Sequence, residues 1–496
     1  MTIALPMQTQ ARAPRPSIDA DWIIGGWAAL AVLALALFDQ RMLSDGDTAW
    51  HLAAGEWMLR HGQVPTVDLF SFTRLGAPWH AHEWLSEVAI AAAYRLDGWS
   101  GVVMLFGVAV GVAALLLTAE LKRWFTGVGL VLAVALALAC AAPNLLARPH
   151  VLVLPLLIAW TSLLLKARRD DQAPPLAAAL LVLVWANMHG SYVFAFLLLG
   201  VFGLEALVEA QPVRRWPVLR DWGLFAALCV AGSAVTPQGV PGLIFPFQLM
   251  SMSSLAWIQE WAPMDFAKIG PFELSLAATL FICLSKGVKV PPLRLLLLLG
   301  LLHMALQHAR HGVVVAMVAA LVLAPAIVEA IAAGEPAPRP ARPLAWLIPL
   351  ALVLALFGAR AAVALQRTDT PSMPISALEH VPASLRAKPV LNEYGFGGYL
   401  ILRGVKPFID GRTDLYGDAF MARYAKLAAG DRATLDQTLK QYAIAWTILP
   451  PDHPLVPVMD ALPGWRRLYA DKFAVVDVRA TALPQPAGAN GASSAR

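Results

Sequence analysis

The segment Asp45-Gly46-Asp47-Thr48-Ala49-Trp50-His51 sets two carboxylates two residues apart where an apolar run gives way to polar sequence. A carboxylate so placed can accept the proton of an attacking hydroxyl. The pair can also hold a divalent cation, Mg2+ or Mn2+, that neutralises a phosphate leaving group. Either acid can instead cap the helix that Thr48 to His61 suggests. Arg148 and Arg310 are the candidates for anion binding, since a guanidinium matches phosphate oxygens as a bidentate fork. Their plain alternative is snorkelling to lipid headgroups. His150 stands beside Arg148, and His308 and His311 flank Arg310, so all five are read as a site for a donor phosphate. His51, His82, Glu83, Asn187, His189 and Glu260 are expected to contact substrate. Adjacent side chains on a helix diverge, so His82 and Glu83 are not expected to share a metal. Gly190, after Asn187 and His189, can serve a tight turn and so explain part of that motif.

The elements that position these residues are membrane spans. Hydrophobic residues make up 58% of the chain and charged residues 14%, and the mean hydropathy is +0.62, far from a soluble globular composition. Net charge is +5, but the basic residues come in small clusters between apolar runs, as membrane topology requires and nucleic-acid binding does not. Cys140, Cys229 and Cys283 lie inside apolar runs without paired or metal-ligand spacing. A span needs about 20 apolar residues. About eleven candidates start near Trp22, Gly101, Gly127, Val151, Pro175, Ser191, Asp221, Pro271, Pro292, Gly312 and Pro343. The first, preceded by Arg12 and Arg15, reads as an uncleaved span rather than a signal peptide.

Charge orients the spans. Lys122/Arg123, Lys166/Arg168/Arg169, Arg214/Arg215/Arg220, Lys286/Lys289 and Arg339/Arg342 all fall on one side, the cytoplasmic one, if residues 1–20 form a cytoplasmic tail. The C-terminus is then extracytoplasmic. The candidate chemical residues fall at the opposite, outer ends of the spans. Ionisable groups at membrane depth cost about 2.5 to 3.5 kcal/mol each on insertion scales, so they persist where they face a polar cavity or a site.

Within the membrane domain, residues 21–365, two long outer loops are expected, 39–100 and 237–270. Trp57, Trp79, Trp84 and Trp99 in the first read as interfacial anchors. Residues 366–483 read as a small α/β domain outside the membrane, with strands at Val390–Leu391, Gly398–Leu402 and Phe473–Val478 and a helix at Ala433–Tyr442. The Ala/Gly/Ser/Pro-rich residues 484–496 are expected to be disordered. Gly395-Phe396-Gly397-Gly398-Tyr399 lacks phosphate-loop spacing, and Asp410-Gly411 suits a turn, so both motifs are read as mainly structural.

Asp47-Thr48-Ala49-Trp50-His51, then Pro65 with Asp68-Leu69-Phe70-Ser71, then His82-Glu83-Trp84-Leu85, resemble a group of bacterial polytopic membrane proteins related to the GT-C glycosyltransferases. Trp185 to Ser191, Ala309-Arg310-His311 and Ile409-Asp410-Gly411-Arg412 resemble later motifs of that group. The resemblance implies a GT-C-like, α-helical polytopic membrane domain, a long first outer loop bearing a catalytic acid, and a soluble C-terminal domain. It also implies a polyprenyl-phosphate or diphosphate sugar as donor, with a glycan, lipid or protein acceptor. Asp47 is the position that best matches the catalytic acid, and Asp-Gly-Asp stands here where several GT-C families carry an Asp-Glu pair. Two other readings compete: a transporter or flippase for a lipid-linked glycan, and a non-enzymatic subunit of cell-envelope polysaccharide assembly. Transporters generally place polar groups near the membrane midplane within repeated halves, and neither feature is evident in the sequence.

Overall fold

A computed structural model describes residues 20–331 and 347–482. Most of the expected cytoplasmic tail, the expected span start at Pro343, the Arg339/Arg342 cluster and the tail 484–496 lie outside the described residues. The membrane part comprises α1 (Ala20–Phe38), α2 (Asp47–His61), α3 (Trp84–Leu121), α4 (Gly127–Ala141), α5 (Pro149–Leu152), α6 (Leu154–Arg169), α7 (Ala179–Met188), α8 (Val193–Glu209), α9 (Arg215–Ser233), α10 (Pro241–Met250), α11 (Pro271–Lys286), α12 (Pro292–Gln307), α13 (Gly312–Ala330) and α14 (Leu347–Ala362). α-Helix lies at the expected span starts from Trp22 to Gly312 except near Pro175 and Ser191, where a 3-10 turn comes first (Leu176–Ala178 and Gly190–Tyr192). Among the described residues, 5 helices are long and apolar enough to cross a membrane, and shorter apolar helices accompany them.

Local sequence explains the boundaries. Proline in the first turn of α5, α6, α10, α11 and α12 occupies positions whose N–H has no helical acceptor. Gly62 closes α2 at φ 65°, a left-handed conformation that glycine adopts without steric cost. In α3, Asp97 (φ −154°) and Gly98 (φ 53°) break the helical path. The part before the break belongs to the first loop, and the part after it enters the bundle near Gly101.

The C-terminal part adds α15 (Ile375–Glu379), α16 (Ala383–Arg386), α17 (Gly397–Leu402), α18 (Thr413–Ala428), α19 (Arg432–Gln441) and α20 (Leu455–Asp460) to four strands, β1 (Val390–Asn392), β2 (Trp446–Leu449), β3 (Trp465–Ala470) and β4 (Val475–Arg479). The sheet order is β1-β2-β4-β3. β1 pairs parallel with β2, placing Val390 opposite Trp446, while β4 runs antiparallel to both β2 and β3. The expected strand at Gly398–Leu402 is instead the helix α17. Gly397 and Gly398 lie against the backbones of Ile409 and Gly46, with no room for a Cβ, and this close packing overrides the β-branched, aromatic look of the segment.

The first loop and the tail share one core. Trp50, Ala54, Met58, Trp79 and Ala81 pack in the same apolar cluster as Leu391, Phe408, Ile409, Tyr416 and Phe420. Fully burying one large apolar side chain stabilises by about 1.5 to 3 kcal/mol, against about 1 kcal/mol or less for an exposed ion pair. This seam therefore locks α2 to the sheet unit. The second loop joins it where the Asp418 carboxylate accepts the backbone N–H groups of Ser253 (3.2 Å) and Ser254 (2.9 Å).

Candidate functional site

The start of α2 aims the paired acids. Asp45 Oδ1 accepts the N–H of Asp47 at 2.7 Å, closing a turn around Gly46, the N-cap of the helix, and the Asp47 side chain remains available to project from its first turn. Arg148, in the link between α4 and α5, faces both acids: its Nε lies 2.8 Å from Asp45 Oδ2 and its Nη2 pairs with Asp47. The remaining Nη1 donates to Glu260 Oε2 at 2.5 Å. Glu260 in turn accepts from Arg310 Nη1 at 3.1 Å, and the Arg310 guanidinium lies over the Trp261 ring, 4.6 Å from its centroid. Asp45, Asp47, Arg148, Glu260 and Arg310 thus form one network drawn from the first loop, the α4–α5 link, the second loop and the α12–α13 turn.

Charge in this network is unevenly shared, because Arg148 serves three carboxylates. Burial pushes the Asp47 carboxyl up to about 7; Arg148 opposes the rise, while Asp45 and Glu260 add to it. Burial also acts to raise Glu260, but Arg310 and Arg148 together hold it at about 2. One acid is therefore poised to exchange a proton near neutrality while the other stays ionised between two cations.

A second cluster lies one helical turn along α2. His51, four residues after Asp47, places Nδ1 3.2 Å from Glu87 Oε1 and Nε2 3.7 Å from Glu83 Oε2. His189 Nε2 comes within 3.3 Å of Glu83 Oε1 and His82 Nε2 within 3.8 Å. His82 precedes α3, so the divergence of neighbouring helical side chains does not apply, and it faces the same carboxylate that follows it in sequence. Glu87 is the member that sequence reasoning missed. Its spacing from Glu83, four residues at a helix start, is the signal that could have found it.

Of the other expected site residues, Asn187, His150 and His308 bond the scaffold, whereas His311 keeps a buried Nδ1 without a hydrogen-bond partner. Asn187 accepts from Trp84 Nε1 at 2.8 Å and donates to the carbonyls of Leu183 and Val235 at 2.9 Å each. His150 Nε2 donates to the Asn144 carbonyl at 2.8 Å and His308 Nδ1 to that of Trp261 at 2.7 Å. His311 packs edge-on against Phe194 and Trp261. Gly190 has no left-handed backbone; the turn is made by extended His189 (φ −166°), whose Nδ1 accepts the Ser191 N–H at 3.0 Å.

The tail contributes more than its glycine motifs suggest. Gly411 lies directly on the Asp47 carboxylate. On either side, the wholly buried Arg412 donates to Asp410 (2.8 and 2.7 Å) and to Asp68 (2.7 Å), and its guanidinium sits 4.8 Å from the Trp79 ring centroid and 5.3 Å from that of Phe70. Tyr394 donates to the Gly411 carbonyl at 3.2 Å.

No family model matches the chain, and no curated protein matches it. Solved structures do. ArnT from Cupriavidus metallidurans bound to undecaprenyl phosphate aligns over 94% of this chain and 99% of its own, with 14% identity and a TM-score of 0.50. The same enzyme in the apo state gives the same coverage and identity, with a TM-score of 0.51. The apo Archaeoglobus fulgidus oligosaccharyltransferase aligns over 86% of this chain and 69% of its own, with 11% identity and a TM-score of 0.51. Both are GT-C glycosyltransferases. The chain is a multi-pass membrane protein with the GT-C glycosyltransferase fold.

Proposed function

We propose that the protein transfers a sugar from a polyprenyl-phosphate-linked donor to an acceptor hydroxyl at the outer face of a bacterial inner membrane. The observation that carries this reading is the Asp47–Arg148–Glu260–Arg310 network: a carboxylate able to take a proton near neutrality, beside two guanidinium groups bridged by an anion. In the reaction, Asp47 accepts the acceptor O–H proton as that oxygen bonds to the anomeric carbon. The anomeric carbon–phosphate oxygen bond breaks, and its electron pair leaves on the polyprenyl phosphate, whose added charge Arg310 and Arg148 stabilise. Glu260, an anion held between both arginines, marks the seat of that phosphate.

Undecaprenyl phosphate bound to the structurally similar ArnT supports a polyprenyl carrier. The network's place beside the two long loops, away from the basic clusters at the other helix ends, supports an outward-facing transferase over a carrier with a midplane site. A Mg2+ or Mn2+ ion on Asp45 and Asp47 would compete with Arg148, which already faces both carboxylates. The guanidinium therefore supplies the positive charge there.

The test is transfer from a radiolabelled undecaprenyl-phosphate sugar by the purified protein in nanodiscs. Asp47→Asn is expected to lower turnover by about 100-fold or more, in the range of a lost general base. Unchanged turnover would remove Asp47 from the chemistry.

A further inference from the structure

We propose that His51, Glu83 and Glu87 bind a divalent transition-metal ion of the zinc class, with His82 as the fourth protein ligand. One ligand atom from each of the first three residues falls in a group whose members all lie within 4.8 Å of one another. All three are buried, with relative exposures of 3%, 9% and 1%. The two glutamates share one face at the start of α3, and His51 meets them from α2.

Proton bookkeeping argues for a cation. Both His51 nitrogens face carboxylates, yet a neutral imidazole has one N–H, so the other nitrogen turns its lone pair toward a carboxylate oxygen. His82 repeats the pattern. Its Nδ1 lies 3.2 Å from the His80 carbonyl, which fixes the N–H there and leaves the Nε2 lone pair 3.8 Å from Glu83 Oε1. That spacing exceeds a hydrogen bond and suits two ligands of one ion. Glu87 Oε2 is buried without a hydrogen-bond partner. Carboxylate oxygens and imidazole nitrogens thus converge in a buried pocket, a donor arrangement that a doubly charged ion would satisfy.

The donor set selects the class. Imidazole nitrogen with carboxylate oxygen suits zinc and its first-row neighbours, whereas magnesium and calcium prefer oxygen alone. His189 lies outside the ligands: its Nδ1 accepts the Ser191 N–H, so its Nε2–H points at Glu83 Oε1 and orients that carboxylate. With Asp47 and His51 one turn apart on α2, the ion would tie that helix to α3 beside the acid.

The experiment is independent of sugar transfer. The full chain, purified in detergent without chelator, is analysed by elemental mass spectrometry, expecting about one transition-metal ion per chain. The exposed His61→Ala variant keeps it, and His51→Ala and Glu83→Gln lose it. After chelator treatment, zinc raises the thermal midpoint of the wild type by several degrees and leaves that of His51→Ala unchanged. Should His51→Ala fail to fold, His189→Gln provides the reading: its zinc affinity falls roughly 10- to 100-fold, as for a lost outer-sphere partner. A metal-free wild type that ignores zinc, full metal content in Glu83→Gln, or stabilisation by magnesium alone overturns the proposal.

Discussion

Gly411 lies so close to Asp47 that a methyl group on Gly411 would overlap the Asp47 carboxylate. The two residues are separated by most of the chain, one opening the first loop and the other sitting in the C-terminal unit. A backbone stripped of its side chain forms one wall of the acid's surroundings, and the tail is thereby part of the site's construction. Its conformation is ordinary for any residue, so the requirement for glycine here comes from the contact.

Gly411→Ala is therefore expected to displace Asp47 from its pairing with Arg148. A displacement of about 1 Å at a reacting group can cost about 100-fold in rate. Transfer by the variant should fall by about 10- to 100-fold while the chain still folds, which thermal unfolding followed beside turnover would show.

The pH dependence follows from the same acid. Burial, with Asp45 and Glu260 adding to it, raises the Asp47 carboxyl to about 7, and only its deprotonated form can take the acceptor's proton. kcat/KM should climb with pH by about tenfold per unit well below 7 and level off above it. Asp45→Asn removes one of the charges that raise Asp47, so the midpoint of the profile should move to lower pH. A profile flat between pH 5 and pH 8 on the order of the assay error would detach Asp47 from proton transfer.

What the sequence disclosed and what it concealed have separate physical causes. Long apolar runs announce helices because a span requires them, and the expected starts from Trp22 to Gly312 lie in or just before helix. Arg148 and Arg310 stood out because they lie at the span ends opposite the basic clusters, each beside histidine. No local pattern, by contrast, says whether a polar residue lines a cavity or bonds the backbone: Asn187 and His308 look in sequence like His51 and His189. Glu87 was concealed by the apolar run that follows it. The contacts of Gly411 with Asp47 and of Arg412 with Asp68 join segments more than 300 residues apart, and neither motif has a local feature naming its partner. Gly397 and Gly398 were visible, but only the packed structure shows that they make room for backbone.

Arg412 tests whether the tail is fastened to the first loop by charge as well as by apolar packing. The guanidinium is wholly buried between Asp410 and Asp68, and Tyr416 donates to Asp410 at 2.7 Å. Removing one partner of a buried pair leaves uncompensated charge and costs about 3 to 5 kcal/mol. Arg412→Ala should lower the thermal midpoint by several degrees and expose the Thr66–Ala77 stretch to protease. Arg412→Lys, which keeps the charge but not the fork, should recover only part of the loss. Wild-type protease resistance in Arg412→Ala would assign the attachment to the apolar seam alone.

Glu260 is the residue whose loss should improve binding. It engages Arg148 at 2.5 Å and Arg310 at 3.1 Å, and the two arginines hold it ionised, at about 2, against the effect of burial. A phosphate entering this place must displace that carboxylate, so part of its attraction to the arginines is offset by the pair it breaks. Glu260→Gln keeps the shape and removes the competing charge. The dissociation constant for undecaprenyl phosphate, measured by a fluorescence-quenching titration in nanodiscs, should fall by about tenfold, the equivalent of about 1.4 kcal/mol. The paired variant Arg310→Ala should raise it by a similar factor. Weaker binding in Glu260→Gln would mean that the carboxylate organises the two arginines for the phosphate instead of competing with it, and would move the phosphate seat to the far side of Arg310.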